Sequence, residues 1–245
     1  MMDTAENFIG KKKEGPLTMK PDGKIIKLAL RKKESGFEKK QRIKSVDGIK
    51  YFNEKQIKLL RRTVRDQAEL DMQKGKRTAI QEWLAIDLLT CTGLRVSEAA
   101  NLRYGDLKLG YAESKVFVRD GKGGISGHVV VPDSLKKQLK SFLALKDKIG
   151  EPTGENDHLF VGQRGAWTAQ AIQQIVKKYL KQLGLYENGK SVHSLRHSYG
   201  VELYSKEKDL WVAQKQLRHR SIQSALIYAN VTAEDIENQV KGLWN

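Results

Sequence analysis

The sequence contains a single cysteine, Cys91, so no disulfide can form within the chain. No stretch approaches the roughly 18 consecutive apolar residues that a membrane-spanning helix needs, and residues 1–15 lack the apolar segment of a secretory signal. A lone cysteine in such a chain is typical of a reducing compartment, which predicts a cytoplasmic protein. The sequence also lacks an aromatic platform for stacking RNA bases, which argues against a basic RNA-binding protein.

Acidic residues are in the minority, because 29 Asp and Glu stand against 45 Lys and Arg, for a formal net charge of +16. Lys and Arg release condensed counterions when they neutralise phosphates, so this excess favours a nucleic acid as partner. Many basic proteins merely carry solvated lysines, however, and charge alone does not identify an enzyme. Hydrophobic residues make up 39% of the chain and recur periodically, which predicts a packed core.

Residues 1–50 differ in character from the rest of the chain. They carry fourteen basic and seven acidic residues, several Gly and Pro turn signals, and one short predicted strand at 25–30. We interpret them as a basic N-terminal arm or linker, with a tail that makes no specific contact as the alternative. Residues 51–245 are predicted to form the main domain.

The main domain shows the apolar spacing of helices over most of its length. Asn53 is predicted to cap the first helix in a capping box with Gln56, and a second helix is predicted to end near Gly93. Segments 115–119 and 128–131 flank a glycine-rich turn, which predicts a β-hairpin. Further helices are predicted at 133–147, 168–183, 194–205, 209–218, 222–229 and 232–241. The predicted fold class is therefore mainly α with a small antiparallel β-sheet (α+β).

His193 and Arg196 lie three residues apart at the start of a predicted helix and so share one face. Both could reach a single phosphate, whose oxygens match the planar guanidinium fork. A solvated polar face is the alternative. His193 and His197 also have the spacing of a zinc-protease pair, but Ser194 stands where such a protease needs its Glu base. We therefore predict no metal.

Arg95 follows Gly93 at the junction of two predicted helices, where backbone donors and a guanidinium can converge on an anion. Glu98 is suited to hold an Arg side chain in place. Lys122 lies at the tip of the predicted hairpin, where its glycine neighbours allow close approach to a nucleic-acid backbone. The alternatives are an ordinary surface ion pair for Arg95 and an ordinary turn lysine for Lys122.

His219 and Tyr228 are nine residues apart, a spacing that places them on opposite faces of one unbroken helix. They can share a site only if the helix breaks between them. Arg220 and Ser221 are the predicted break, with Ser221 capping the helix that follows. Taken alone, Tyr228 is equally well explained as a half-buried core tyrosine.

Four segments, in this order, resemble the catalytic domain of the tyrosine recombinases (phage integrase family): TGLRVSE, DGKGG, HSLRHSYG and LRHRSIQSALIY. That family shows T-G-L-R-x-x-E, a hairpin lysine, H-x-L-R-H, and G-H followed nine residues later by the tyrosine. The resemblance covers roughly residues 51–240. One departure is Arg218, where the family usually has Gly; an arginine there crowds the turn or adds a phosphate contact.

A second departure is that residues 1–50 are too few for the N-terminal core-binding domain usual in the family. The chain is then a fragment, a minimal member, or dependent on another protein for that part. The resemblance implies a site-specific DNA recombinase (integrase) that cuts and rejoins strands through a 3′-phosphotyrosyl intermediate, without metal, ATP or another cofactor.

The resemblance also implies the site residues. The implied catalytic residues are Arg95, Lys122, His193, Arg196, His219 and Tyr228, with Glu98 in support. The implied DNA contacts are those of Arg95, Lys122, Arg196, Arg218 and Arg220. Tyr228 would attack the phosphate, His193 would accept its proton, and Lys122 would protonate the leaving oxygen. Arg95 and Arg196 would hold the non-bridging oxygens, and His219 would donate a further hydrogen bond.

The implied partner is double-stranded DNA, bound by a homotetramer on paired sites, with a monomer or dimer in free solution. An accessory DNA-binding protein is a candidate partner, and no membrane is involved. The expected location is the cytoplasm, at the nucleoid when DNA is bound. Segment 233–244 either exchanges between protomers or packs on its own chain. Two rival functions remain, relaxation of supercoils as by a type IB topoisomerase and DNA binding without turnover.

Overall fold

The structure, a computed structural model, describes residues 49–74, 76–119, 124 and 126–231, and the backbone of two short strands nearer the N-terminus. The chain divides into two compact units, Met1–Ile43 and Lys44–Asn245. Within the described residues, no helix combines the length and the apolar character needed to cross a bilayer.

The second unit is mostly helical, and strands interrupt the series of described helices between α3 and α4 and between α4 and α5. They are α1 (Glu54–Gln73), α2 (Thr78–Thr92), α3 (Val96–Ala100), α4 (Asp133–Lys148), α5 (Ala169–Gln182), α6 (Val192–Glu207), α7 (Leu210–Leu217) and α8 (Gln223–Val231). One turn of 3₁₀ helix, Tyr104–Asp106, follows α3.

The strands are short and pair antiparallel. In the first unit, β1 (Thr18–Met19) pairs with β2 (Ile25–Ile26). The second unit contains a sheet of order β3-β4-β5, made of Leu107–Lys108, Lys115–Val118 and Gly127–Val130, and a small hairpin of β6 (Val161–Gly162) and β7 (Gly165–Ala166). In the three-stranded sheet Phe117 lies opposite His128, so β4 and β5 form the predicted hairpin.

Strand β5 is an edge of its sheet, and a side chain covers part of that edge. Gln216 of α7 accepts a hydrogen bond from the Val130 backbone N–H at 3.1 Å and donates one to the Val130 carbonyl at 2.8 Å. The end of α7 is therefore attached to the hairpin strand by the same pair of bonds that a neighbouring strand would make.

Helix α2 is the centre of the second unit. Its residues are apolar on most sides, as a helix surrounded by others requires, and it packs against α1, α4, α5 and α6. The large core formed in this way contains Leu84, Leu88 and Phe160 among its fully buried side chains. A smaller apolar cluster lies between α6, α7 and α8 and contains Leu217 and Tyr228.

Most predicted elements are found close to their predicted bounds. The capping box of α1 is present, since the Asn53 side chain accepts from the Gln56 N–H at 2.9 Å and the Gln56 side chain accepts from the Asn53 N–H at 3.1 Å. Helix α6 begins two residues earlier than predicted, because Ser191 caps it by accepting from the His193 N–H. Strands β1, β3, β6 and β7 were not predicted. Most of the predicted strand at 25–30 and the whole of the helix predicted at 232–241 lie outside the described residues.

Gly93 ends α2 as predicted, with a φ of 65° in the left-handed region. A Cβ at this position would lie 2.5 Å from Tyr199 Cδ1 and 2.6 Å from Leu217 Cδ2. Glycine is therefore required both by the backbone conformation and by the closeness of α6 and α7.

We expect Gly93→Ala to lower the free energy of unfolding by at least about 2 kcal/mol, since a left-handed alanine and an overpacked contact each cost about 1 kcal/mol or more. Urea denaturation measures the change. Gly184→Ala is the matched control, because Gly184 has a φ of 66° and open space around it. Equal losses for the two variants would show that the contacts with Tyr199 and Leu217 contribute nothing.

Candidate active site

Arg95 is fixed by the way α3 begins. It is the N-cap residue of α3, and the Glu98 carboxylate accepts from both its backbone N–H and its Nη1, each at 2.7 Å. The Glu98 side chain is 3% exposed and that of Arg95 21% exposed. The predicted supporting role of Glu98 is thus consistent with its geometry: a buried carboxylate holds a partly accessible guanidinium.

Arg196 of α6 lies between the ends of two other helices. Its Nη1 donates to the Gly93 carbonyl and its Nη2 to the Leu217 carbonyl, each at 2.5 Å. The side chain is buried. Burial, followed by the nearby positive charge of Arg95, lowers the pKa of Arg196 to about 10, so the guanidinium remains charged at neutral pH.

The helix break predicted between His219 and Tyr228 is present. Helix α7 ends at Leu217, Arg218 follows in the left-handed region, and α8 begins at Gln223. The Ser221 hydroxyl accepts from the Gln223 N–H at 3.2 Å, as expected for a residue that caps the next helix. The break folds α8 back so that the His219 and Tyr228 rings stack with centroids 6.0 Å apart.

His219 is held neutral by its surroundings. Its pKa is lowered to about 4, first by burial and then by the charges of Arg196 and Arg95. Smaller contributions in the same direction come from His197 and Arg218. Its Nδ1 is buried without a hydrogen-bond partner among the described residues. A neutral imidazole with one unpaired nitrogen is suited to exchange a hydrogen bond with a ligand that enters the site.

Tyr228 is only 1% exposed and packs against α6. A Cβ on Gly200 would lie 2.4 Å from Tyr228 Cζ, so a glycine at this place in α6 gives the ring its room. The His197 ring is the other aromatic neighbour, with centroids 6.2 Å apart. Burial raises the pKa of Tyr228, and the charges of Arg196 and Arg95 oppose that rise.

Two contacts of Tyr228 were missed by the sequence reasoning. His197 was considered only as a metal ligand, and Gly200 was not singled out. The sequence alone could have pointed to both contacts, because His197 and Gly200 are three positions apart and so share one face of α6. A glycine inside a helix often marks a close approach of another element.

The remaining predicted site residues differ in their exposure to solvent. His193 is the second residue of α6 and is exposed, and Arg220 is exposed beyond the end of α7. Arg218, predicted to contact DNA, is instead buried, with its Nη2 2.6 Å from Glu98 Oε2. The Lys122 prediction lies outside the described residues.

The assembled site carries an excess of positive charge. Three guanidinium groups, those of Arg95, Arg196 and Arg218, act on one another and on a single carboxylate, Glu98. Such an arrangement attracts an anion. Within the described part of the chain, no group of three or more His, Cys, Asp or Glu side chains is arranged to hold a metal ion.

Comparison with known proteins identifies the family of the chain. The model of the phage integrase family matches residues 50–235. The chain belongs to that family. Tyrosine recombinase XerA of Pyrococcus furiosus is 31% identical over 166 residues, which are 66% of this chain and 54% of that protein. Tyrosine recombinase XerH of Campylobacter jejuni is 32% identical over 157 residues, 63% of this chain and 42% of that protein.

Solved structures agree with the family assignment. A crystal structure of XerA recombinase has a TM-score of 0.62 and 25% identity, covering 80% of this chain and 65% of the other. XerH bound to its difH substrate in a post-cleavage complex has a TM-score of 0.64 at 23% identity, covering 80% and 53%, which shows the fold alone. This phage integrase family chain spans about half the length of the curated relatives that it matches. The predicted fold, mainly α with small antiparallel sheets like a recombinase catalytic domain, is confirmed.

The lowered pKa of His219 predicts how stability depends on pH. His219 binds a proton near pH 6.5 in the unfolded chain and only near pH 4 in the folded chain. The folded state therefore loses stability as the pH falls from 6.5 to 4. We expect the unfolding free energy of the wild type to fall by up to about 3 kcal/mol relative to His219→Gln over this window. Urea denaturation of both proteins at several pH values measures it. Parallel curves would show that His219 is not held neutral.

Proposed function

We propose that the chain cuts and rejoins DNA strands through a 3′-phosphotyrosyl intermediate, as a site-specific recombinase with Tyr228 as nucleophile. One observation carries the proposal: His219 stacks on Tyr228 while the charges of Arg95 and Arg196 act on both rings, and Glu98 pairs with Arg95. The relatives named above are tyrosine recombinases, and one is described bound to its DNA substrate after cleavage.

The proposed step is an in-line displacement at phosphorus. The Tyr228 oxygen forms a bond to phosphorus while the bond from phosphorus to the 5′ oxygen breaks. The phenol proton passes to His193, and the departing 5′ oxygen takes a proton from Lys122. Rejoining is the reverse, with a 5′ hydroxyl of a second strand as nucleophile. Because the phosphotyrosyl link keeps the energy of the broken ester, no ATP is consumed.

Charge stabilisation is assigned to the arginines. Two non-bridging oxygens gain negative charge in the transition state, and Arg95 and Arg196 bind them, with a hydrogen bond from His219. The positive excess of the site supports this role, since two guanidiniums placed beforehand need not reorganise. In this scheme they do the work that a metal ion does in other phosphoryl-transfer enzymes.

DNA contacts beyond the reacting phosphate are assigned to Lys122 and Arg220. The exposure of Arg220 supports its role. Arg218 was expected to contact DNA too, but its burial against Glu98 favours a role within the protein. We assign residues 51–245 to the catalytic domain and residues 1–50 to a basic arm or linker.

The proposed partner is double-stranded DNA. Assembly follows from the chemistry of strand exchange: two duplexes present four strands, so four protomers act on paired sites. We propose a homotetramer on DNA, a monomer or dimer in free solution, and an accessory DNA-binding protein where the core-binding part is lacking. Segment 233–244 is the candidate for exchange between protomers. The proposed location is the cytoplasm, at the nucleoid when DNA is bound.

We expect Tyr228→Phe to bind DNA with unchanged affinity and to form no covalent adduct, because only the attacking oxygen is removed. The probe is a pool of nicked duplexes with randomised sequence around the nick, from which the wild type traps covalent complexes on denaturing gels. Sequencing the trapped DNA gives the preferred duplex. An adduct formed by Tyr228→Phe would show that another residue is the nucleophile.

Cleavage is also expected to proceed at its full rate in the presence of excess EDTA, because Arg95 and Arg196 supply the charge stabilisation. Single-turnover adduct formation on the preferred duplex measures the rate with and without chelator. Loss of adduct in EDTA, restored by added Mg²⁺, would contradict the metal-free scheme.

A further inference from the structure

Arg218 has an unusual backbone conformation for its residue type. It ends α7 with φ 50° and ψ 51°, in the left-handed region that glycine occupies at low cost. Of the described residues other than glycine, Ala112 and Lys208 share a positive φ, and both are exposed. Arg218 alone of the three is buried, so its side chain is held in the interior despite a costly backbone.

The buried end of Arg218 pairs with Glu98. Its Nη2 lies 2.6 Å from Glu98 Oε2, and the two side chains are 5% and 3% exposed. The pair is close but poorly aligned, because none of the guanidinium nitrogens makes a well-directed hydrogen bond to a residue that the structure describes. The two groups form a buried ion pair, in which the attraction between the charges depends more on their distance than on their alignment.

Glu98 is shared between two arginines. The same Oε2 that approaches Arg218 accepts the Arg95 backbone N–H, and Oε1 accepts Arg95 Nη1. Burial alone raises the pKa of Glu98, but Arg218 and Arg95 outweigh it, so the pKa is lowered and the carboxylate stays ionised. The charged groups recorded around Glu98 are Arg95 on its own helix, Arg218 at the end of α7, and Arg196 on α6.

The stem of Arg218 is confined as well. Its Cδ lies 3.3 Å from where a Cβ of Gly127 would be, so strand β5 passes directly over it. Two residues earlier, Gln216 binds the Val130 backbone of the same strand. The end of α7 is thus fixed on β5 while the guanidinium reaches α3, and the side chain has little freedom to swing towards a ligand.

We propose that Arg218 is a positioning residue: by pairing with Glu98 it holds the carboxylate that fixes Arg95, and so orients the guanidinium that binds the scissile phosphate. This inference rests on the proposed function. Since the family resemblance places a glycine at this position, the device is a property of this chain. Arg218 acts through Glu98 and does not touch the DNA.

Arg218→Gly tests the role without backbone strain, since glycine accepts a φ of 50°. Arg218→Lys keeps a positive charge near Glu98. Lys208→Gly is the matched control, because it also replaces a left-handed basic residue, with φ 53°, at an exposed site. DNA affinity at several salt concentrations and single-turnover adduct formation are measured on the preferred duplex.

For Arg218→Gly we expect adduct formation to fall about tenfold, with the same salt dependence of DNA affinity as the Lys208→Gly control. Arg218→Lys should recover part of the rate. The acid limb of the pH–rate profile should move to higher pH in Arg218→Gly, because Glu98 loses an ion pair that favours its ionised form. An unchanged rate would overturn the proposal, as would a reduced rate with an unmoved acid limb.

A double-mutant cycle with Glu98→Gln separates positioning from direct DNA contact. If Arg218 acts through Glu98, adding Arg218→Gly to Glu98→Gln costs little more than Glu98→Gln alone. An equal loss in both backgrounds, with a salt slope reduced by about one, would show a direct phosphate contact and overturn the proposal. Wild-type protein without any adduct would instead refute the proposed function, which distinguishes the two failures.

Discussion

The site depends on one buried guanidinium. Arg196 donates to the carbonyls of Gly93 and Leu217, which lie at the C-terminal ends of α2 and α7. Carbonyls at helix ends have no partner within their own helix, and the helix dipole places partial negative charge there. A single cation therefore stabilises two helix ends that would otherwise repel each other. Arg95 and His219 each follow one of these ends by two residues, so the same contact brings them together.

This arrangement explains why local patterns predicted the helix ends beside the candidate site, although the choice of the site residues came from the family resemblance. Arg95 and His219 lie directly after helix ends, and helix ends have sequence signals such as Gly93 and Ser221. Arg196 lies on α6 and Tyr228 within α8. The break between His219 and Tyr228 was predicted from their spacing, on the condition that they share a site, and from the capping preference of Ser221. Strands β1, β3, β6 and β7 were not predicted because each has two residues, too few for an alternation of apolar and polar residues to show.

The position of Arg218 could not be predicted in the same way. An arginine in a sequence is expected at the surface unless a partner is known, and its partner Glu98 lies in a distant part of the chain. The same holds for the burial of Tyr228, which depends on Gly200 in another helix. Contacts between elements decide both cases. In the structure, burial disfavours the ionised form of the Tyr228 phenol, whereas the charges of Arg196 and Arg95 favour it.

The bonds between Gln216 and Val130 have a consequence for how the molecule behaves among other chains. An unpaired edge strand offers its backbone to any passing strand, and proteins that leave such an edge open tend to join edge to edge. Here a side-chain amide occupies the backbone groups of Val130 on β5. The amide of Gln216 thereby leaves fewer backbone groups of this small sheet open to a strand of another molecule.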